Sequence, residues 1–242
     1  MAHKRILILG GTSLARQAAN TLHERGVAVL TSFAGVTRTP HLPQGETRFG
    51  GFGGIKGLLQ YLKAEQFDAV VDAVHPFAAQ MSRHAAVACQ TLNVPLLRLT
   101  PLAWTPQSRD NWITVPDVDA AVDAVPEGAR VGVTVGRKEI ALFFARADLS
   151  GVARMIEPPS VDVPQQWVLE LERPPFSLSH EKTLIESHRL ELIVSKNAGG
   201  ARVAKLDAAA ELSVPVVMIE RPAKPKVTTV TTIEELCSVL RV

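Results

Sequence analysis

The sequence predicts an α/β protein made of two Rossmann-like domains, each with a parallel sheet, separated by an interdomain cleft. Three observations carry this. Short apolar runs alternate with helical stripes along the whole chain. A glycine-rich turn, Gly10-Gly11-Thr12-Ser13-Leu14-Ala15, joins the first strand to the first helix. A segment also recurs 120 residues later, with Leu92-Asn93-Val94-Pro95-Leu96-Leu97 matching Leu212-Ser213-Val214-Pro215-Val216-Val217. Helix-turn-Val-Pro-strand segments are common in α/β proteins, so this echo does not by itself establish duplication.

In the first half, runs 6–9, 28–32, 69–72 and 96–99 read as buried parallel strands. Between them, Leu14, Ala18 and Leu22 repeat at helical spacing, and Gly26 supplies the stop. Phe77, Met81, Ala85, Ala88 and Leu92 form a second stripe, with Pro76 at the expected first helical position. In the second half, strands are expected at 130–135, 153–156, 191–195, 216–220 and 227–230. Helices are expected near 138–146, 180–188, 202–212 and 233–240. Thr232 and Glu235 have capping-box spacing at the start of the last helix. The Pro-rich stretch 100–106 marks the boundary between expected domains 1–100 and 101–242.

The bulk numbers exclude several classes. The chain has 242 residues, 46% of them hydrophobic, and a formal charge of +2 from 26 basic and 24 acidic residues. That balance is no footprint for nucleic acid, so any basic site must be local. Cys89 and Cys237 sit in apolar helical contexts without paired spacing, as expected of thiols in a reducing cytoplasm, and no metal site is expected. The first apolar run stops at Gly10, too short for a signal segment or membrane span. The expectation is a cytoplasmic monomer.

The turn at residues 10–15 is a relaxed dinucleotide fingerprint. Glycine permits the tight turn, Ala15 lets helix and strand pack closely, and helix-start N–H groups of Gly10, Gly11, Thr12 and Ser13 face a pyrophosphate. A plain strand-helix turn is the ordinary alternative. The end of the second strand, residues 30–38, carries no Asp or Glu for ribose hydroxyls. Ser32 and Thr37 can donate to a phosphate and Arg38 can pair with it, so NADP(H) is favoured over NAD(H). Gly51, Phe52 and Gly53, within Phe49-Gly50-Gly51-Phe52-Gly53-Gly54, suggest backbone passing close to the cofactor, or a lid.

His75 follows a predicted strand end, where ligands gather in open α/β sheets, and is a candidate proton donor or a structural histidine. Gly136, Arg137 and Lys138 occupy a matching strand end in the second half, as do Lys196, Asn197, Gly199 and Gly200. Helix-start N–H groups beside cations suit carboxylates. At the 120-residue offset His75 falls opposite Ser195, beside Lys196. A Tyr-x-x-x-Lys pair is missing, since Tyr61 is followed by Glu65, and so is a Gly-x-Ser-x-Gly elbow. Residue 184 is Leu, so His180-Glu181 starts no metalloprotease helix. A hydride donor fits better than a nucleophile or a metal.

Together these motifs resemble the precorrin-6A reductase family of cobalamin biosynthesis. The resemblance rests on Gly-Gly-Phe-Gly-Gly at 50–54, His-Pro-Phe-Ala at 75–78 and Lys-Asn-x-Gly-Gly at 196–200. Lys205-Leu206 and Arg221-Pro222 add to it. Val74, Ala198 and Pro174 depart from the family's usual Thr, Ser and Gly. The resemblance implies NADPH-dependent hydride transfer to a double bond of the precorrin-6A macrocycle, followed by protonation of the neighbouring carbon to give precorrin-6B. It implies NADPH on the first half and the polycarboxylate tetrapyrrole against the second, with His75 and Lys196 as candidate catalytic residues. The cobalt-containing substrate of the anaerobic pathway is an alternative within the family. A non-catalytic NADPH-sensing module is the alternative outside it.

Overall fold

The computed structural model describes residues 4–34 and 41–242, so the predicted cofactor residues Thr37 and Arg38 lie outside the described residues. In chain order the first elements are β1 (Arg5–Leu9), α1 (Ser13–Glu24), β2 (Ala28–Phe33), β3 (Glu46–Phe49), α2 (Gly54–Glu65), β4 (Ala69–Asp72), α3 (Ala79–Leu92) and β5 (Leu96–Leu99). There follow β6 (Trp112–Val115), α4 (Val118–Asp123), β7 (Arg130–Thr134), α5 (Ile140–Phe144), β8 (Ser150–Met155), β9 (Trp167–Leu171), α6 (Leu178–Ser187), β10 (Leu192–Lys196), α7 (Ala204–Glu211) and β11 (Val216–Ile219). The chain closes with β12 (Thr228–Val230) and α8 (Ile233–Leu240).

Two compact units result, one of Met1–Leu102 with Ala223–Val242, the other Ala103–Pro222. Each holds a six-stranded sheet, ordered β12-β5-β4-β1-β2-β3 and β6-β11-β10-β7-β8-β9. Every strand pair is parallel, which bears out the α/β fold with two parallel Rossmann-like sheets.

The expected division into 1–100 and 101–242 is corrected at its second end, because residues 223–242 belong to the first unit. Without them β5 would be a bare sheet edge. β12 covers that edge, with Thr228 opposite Leu97 and Val230 opposite Leu99. α8 then buries Leu236, Cys237 and Leu240 with Ile6, Ala15, Ala18 and Leu22. Arg98 adds a polar latch, donating to Asp72 Oδ2 at 3.0 Å and to the Pro225 carbonyl at 2.9 Å. The second sheet fills the equivalent lateral position with its entering strand, β6.

The internal echo has a physical basis. Asn93 and Ser213 both adopt left-handed φ, 55° and 57°, directly after α3 and one residue past α7's cap. Each turn leads into the strand next to its sheet's edge strand, β5 beside β12 or β11 beside β6. The pairing of His75 with Ser195 does not survive. Leu9 pairs with Asp72 as Thr134 pairs with Ser195, so Ser195 matches Asp72 inside a strand. Because α3 has 14 residues and α7 has 8, an offset read at the helix ends fails at the strand ends.

Candidate active site

In the first sheet, strand order reverses between β1 and β4, where an open α/β sheet forms its ligand crevice. The turn at residues 10–15 forms one lip. The Gly10 N–H donates to the Ser32 carbonyl at 2.9 Å. A Cβ on Gly10 would sit 2.8 Å from Thr31 Cγ2, so glycine is required there. Gly11 has φ +113° and open space where a side chain would project, which leaves its backbone approachable by a ligand. Thr12 caps α1 by accepting the Ala15 N–H at 3.0 Å. The same hydroxyl donates to the Ala73 carbonyl at 3.0 Å and so fastens the turn to the end of β4, the other lip. Ser13 is exposed at the first turn of the helix. These features fit a pyrophosphate over the α1 N-terminus.

Ser32 is buried at the end of β2, its hydroxyl accepting from Arg48 Nη1 at 2.7 Å. The glycine-rich segment is the connection from β3 to α2. Gly50, Gly53 and Gly54 have φ of 99°, 76° and 83°. Gly57 was not anticipated. A Cβ there would collide with the Phe52 carbonyl, so this glycine in α2 lets the loop fold back over the helix's first turn.

His75 stands exposed beyond β4 in a turn closed by the Ala78 N–H donating to its carbonyl at 2.8 Å. α3 therefore starts at Ala79, and Pro76 belongs to the turn instead of the first helical position. The Phe77 N–H donates to His75 Nδ1 at 3.3 Å, turning Nε2 to the other side of the ring.

In the second sheet the reversal lies between β7 and β10. Gly136, with φ +95°, opens a turn in which Arg137 and Lys138 are exposed. α5 starts only at Ile140, two residues after the expected start, because the Gly136 carbonyl accepts from Glu139 and Ile140 first. Lys196 Nζ lies 3.0 Å from Glu139 Oε1, an ion pair bridging the two strand ends. Asn197 is bound at both ends of its amide to the Trp104 backbone, at 2.8 and 2.9 Å. The Trp104 indole donates to the Gly200 carbonyl at 3.1 Å, and Arg221 donates to the carbonyls of Asn197 and Ala198. Residues 197–200 are thus a stapled loop in which Gly199 and Gly200 take φ of 73° and 85°.

Sequence reasoning missed a polar group beside this site. Lys205 donates to Thr134 Oγ1 at 2.8 Å, and that hydroxyl donates to the Val194 carbonyl at 3.0 Å. Arg154 and Glu181 form a buried ion pair, with Nη2 at 2.7 and 2.8 Å from the two carboxylate oxygens. The Arg154 guanidinium also lies 4.1 Å over the Phe176 ring. All four polar residues line one small cavity under α6 and α7. A signal existed in Lys205-Leu206, but nothing local showed the ammonium turned inward.

Burial, with Arg154 beside it, lowers the Lys205 pKa from 10.5 to about 8, while Glu181 opposes the shift. The pH dependence follows. Below about 8 the ammonium is charged in both states, and burying it costs about 3 kcal/mol, at about 1.4 kcal/mol per pKa unit. Between about 8 and 10.5 the unfolded chain holds a proton that the folded protein has released, so stability rises with pH. Urea unfolding from pH 7 to 10.5 should show wild type gaining up to about 3 kcal/mol relative to Lys205→Met. A pH-independent difference would refute the assignment.

The comparisons with known proteins agree on one family. The family model described as precorrin-6x reductase CbiJ/CobK matches residues 5–241. A precorrin-6A reductase of Rhodococcus erythropolis is 43% identical, covering 93% of this chain and 92% of its own. One from Rhodobacter capsulatus is 41% identical, covering 91% and 89%. A cobalt-precorrin-6A reductase of Priestia megaterium is 27% identical, covering 97% of each. Among solved structures, a CobK precorrin-6A reductase superposes with a TM-score of 0.93 at 39% identity, over 98% of this chain and 96% of that one.

Proposed function

The chain belongs to the precorrin-6x reductase CbiJ/CobK family, and from that premise we propose that it reduces precorrin-6A to precorrin-6B in cobalamin biosynthesis, using NADPH bound on the Gly10–Ala15 turn. The observation that carries this is the turn itself: a crowded Gly10, an open Gly11 and a Thr12 hydroxyl tied to the end of β4.

When bound, NADPH supplies hydride to a conjugated double bond of the macrocycle. The protein's own part is to bind, align and exclude water. The backbone N–H groups of residues 11–13 hold the pyrophosphate, since that of Gly10 is spent on the Ser32 carbonyl, with Gly51, Phe52 and Gly53 approaching from the β3 side. Exposed Arg137 and Lys138, beyond Gly136, receive carboxylate arms of the tetrapyrrole. Asn197 serves by stapling, since both ends of its amide are engaged, and the backbone at Gly199 and Gly200 faces the substrate. Lys196, balanced by Glu139 and also a contact for a carboxylate arm, and His75, whose Nδ1 accepts the Phe77 N–H, are the groups proposed to move the proton.

The metal-free substrate is preferred because relatives named for it are 43% and 41% identical, against 27% for the cobalt-precorrin relative. A cytoplasmic monomer fits this reading. Both cysteines are free and buried, and burial, with Asp72 adding, pushes the Cys89 thiol up to about 12. Among the described residues no helix is long and apolar enough to cross a membrane.

Anaerobic turnover tests the proposal. NADPH oxidation should require precorrin-6A and outpace NADH oxidation. Lys196→Ala should raise the KM for the tetrapyrrole about tenfold, as expected for one lost charge-assisted contact, and more than the KM for NADPH. The reverse order would misplace the substrate.

A further inference from the structure

Arg48 is a cation that no motif singled out. β3 runs parallel to β2 with Arg48 directly opposite Ser32, at the carboxyl end of both strands. Its guanidinium is held on three sides. Nη1 donates to Ser32 Oγ at 2.7 Å, Nη2 reaches the Gly51 carbonyl at 3.4 Å, and Cζ lies over the Phe52 ring, 4.0 Å from its centroid. The Tyr61 ring centroid is 5.1 Å away. Among the described residues no carboxylate is ion-paired with it. A guanidinium stacked on an aromatic face keeps its N–H edges directed sideways, as a fork suited to a phosphate. In a parallel sheet of this order, the end of the second strand is where a dinucleotide's adenosine ribose lies. An acid there binds the 2′-hydroxyl, and an arginine there accommodates a 2′-phosphate. Here the strand ends in Ser32 and Phe33, with no acid, and Arg48 is fixed beside it.

We propose that Arg48 is the residue that reads the 2′-phosphate of the cofactor, with Ser32 as its hydroxyl partner. It ties that phosphate to the glycine loop through Gly51 and Phe52. The inference rests on the reading that this sheet edge binds a dinucleotide, and names the side chain that makes the edge prefer the phosphorylated form. It gives Arg48 the role that the sequence alone suggests for Arg38, which lies outside the described residues.

The test uses fragments in place of turnover. Calorimetric titrations of the full chain with adenosine 2′,5′-bisphosphate and with 5′-AMP are compared for wild type, Arg48→Gln, Arg48→Lys and Arg38→Ala. Loss of a charge-assisted phosphate contact should weaken the bisphosphate about 10–100-fold in Arg48→Gln. 5′-AMP should stay within about twofold, which also shows that the site is folded. Arg48→Lys, keeping charge without the fork, should fall between. An unchanged bisphosphate affinity in Arg48→Gln, an equal loss of both fragments, or a loss confined to Arg38→Ala would overturn the proposal. If wild type binds neither fragment nor NADPH, the dinucleotide reading fails first and takes the role of Arg48 with it.

Discussion

Gly10→Val is expected to weaken NADPH binding at least about 100-fold, or about 2.7 kcal/mol. Even a bare Cβ would stand 2.8 Å from Thr31 Cγ2 and 3.5 Å from the Ser32 carbonyl, which accepts the Gly10 N–H. Thr31 is 1% exposed, so any shift must be taken up by packed neighbours, and valine adds two further methyl groups. The turn must shift, and its N–H groups then miss the pyrophosphate. Overpacking should cost about 1–3 kcal/mol of stability as well. Gly11→Ala is the matched control. Its φ of +113° is unfavourable for alanine, but its Cβ meets nothing within 4 Å, so the effect should be smaller. Fluorescence titration with NADPH, with circular dichroism to verify folding, checks both. A folded Gly10→Val protein of near wild-type affinity would remove the turn from the cofactor site.

Arg154→Met should destabilise the protein by about 3–5 kcal/mol, the cost of leaving a buried carboxylate unpaired. Glu181 is 3% exposed and receives two bonds from one Arg154 nitrogen. Removing the guanidinium also takes a cation from beside Lys205, so the Lys205 pKa should rise from about 8. Two readouts follow: a lower urea midpoint near neutral pH, and a stability rise displaced to higher pH. Glu181→Gln keeps a hydrogen-bonding partner but leaves two buried cations facing each other, so it should move the Lys205 pKa down. A loss below about 1 kcal/mol in Arg154→Met would show that Glu181 takes up a proton or finds another partner.

The central strands were legible because strands buried on both faces read as continuous apolar runs, as in Ile6-Leu7-Ile8-Leu9. All three missed strands are sheet edges: β3, β6 and β9. Edge strands carry charges and half-exposed residues, as in Glu46-Thr47-Arg48-Phe49, and lose that signature. α2 was hidden by its glycines at 54 and 57, which lower helix propensity for the sake of the loop lying over it. The return of residues 223–242 to the first sheet is a pairing across more than 120 residues, which no local pattern encodes.

The site divides along the same line. Gly10, Thr12 and Ala15 were legible because the strand-turn-helix pattern and the Thr12 cap are local, while the crowding of Gly10 by Thr31 and the tie from Thr12 to Ala73 were not. Asn197 was legible as a motif but not in its use, because its partner Trp104 lies 93 residues away. Arg48 and Lys205 were missed because each acts through a distant neighbour: sheet register brings Ser32 to Arg48, and the packing of α7 on its sheet brings Thr134 to Lys205. The sequence-favoured Arg38 lies outside the described residues, and Arg48 is the cation the described sheet places beside Ser32.

The proposed reaction is direct hydride transfer from NADPH to the macrocycle on this chain alone. An anaerobic single turnover with precorrin-6A and NADPH deuterated at C4, run separately with each C4 stereoisomer, tests it most directly. Direct transfer should place one deuterium on a carbon of the reduced macrocycle with one stereoisomer and none with the other, with no added flavin or metal. Reduced product free of deuterium from both stereoisomers, or no reduction by protein that binds both ligands, would contradict it.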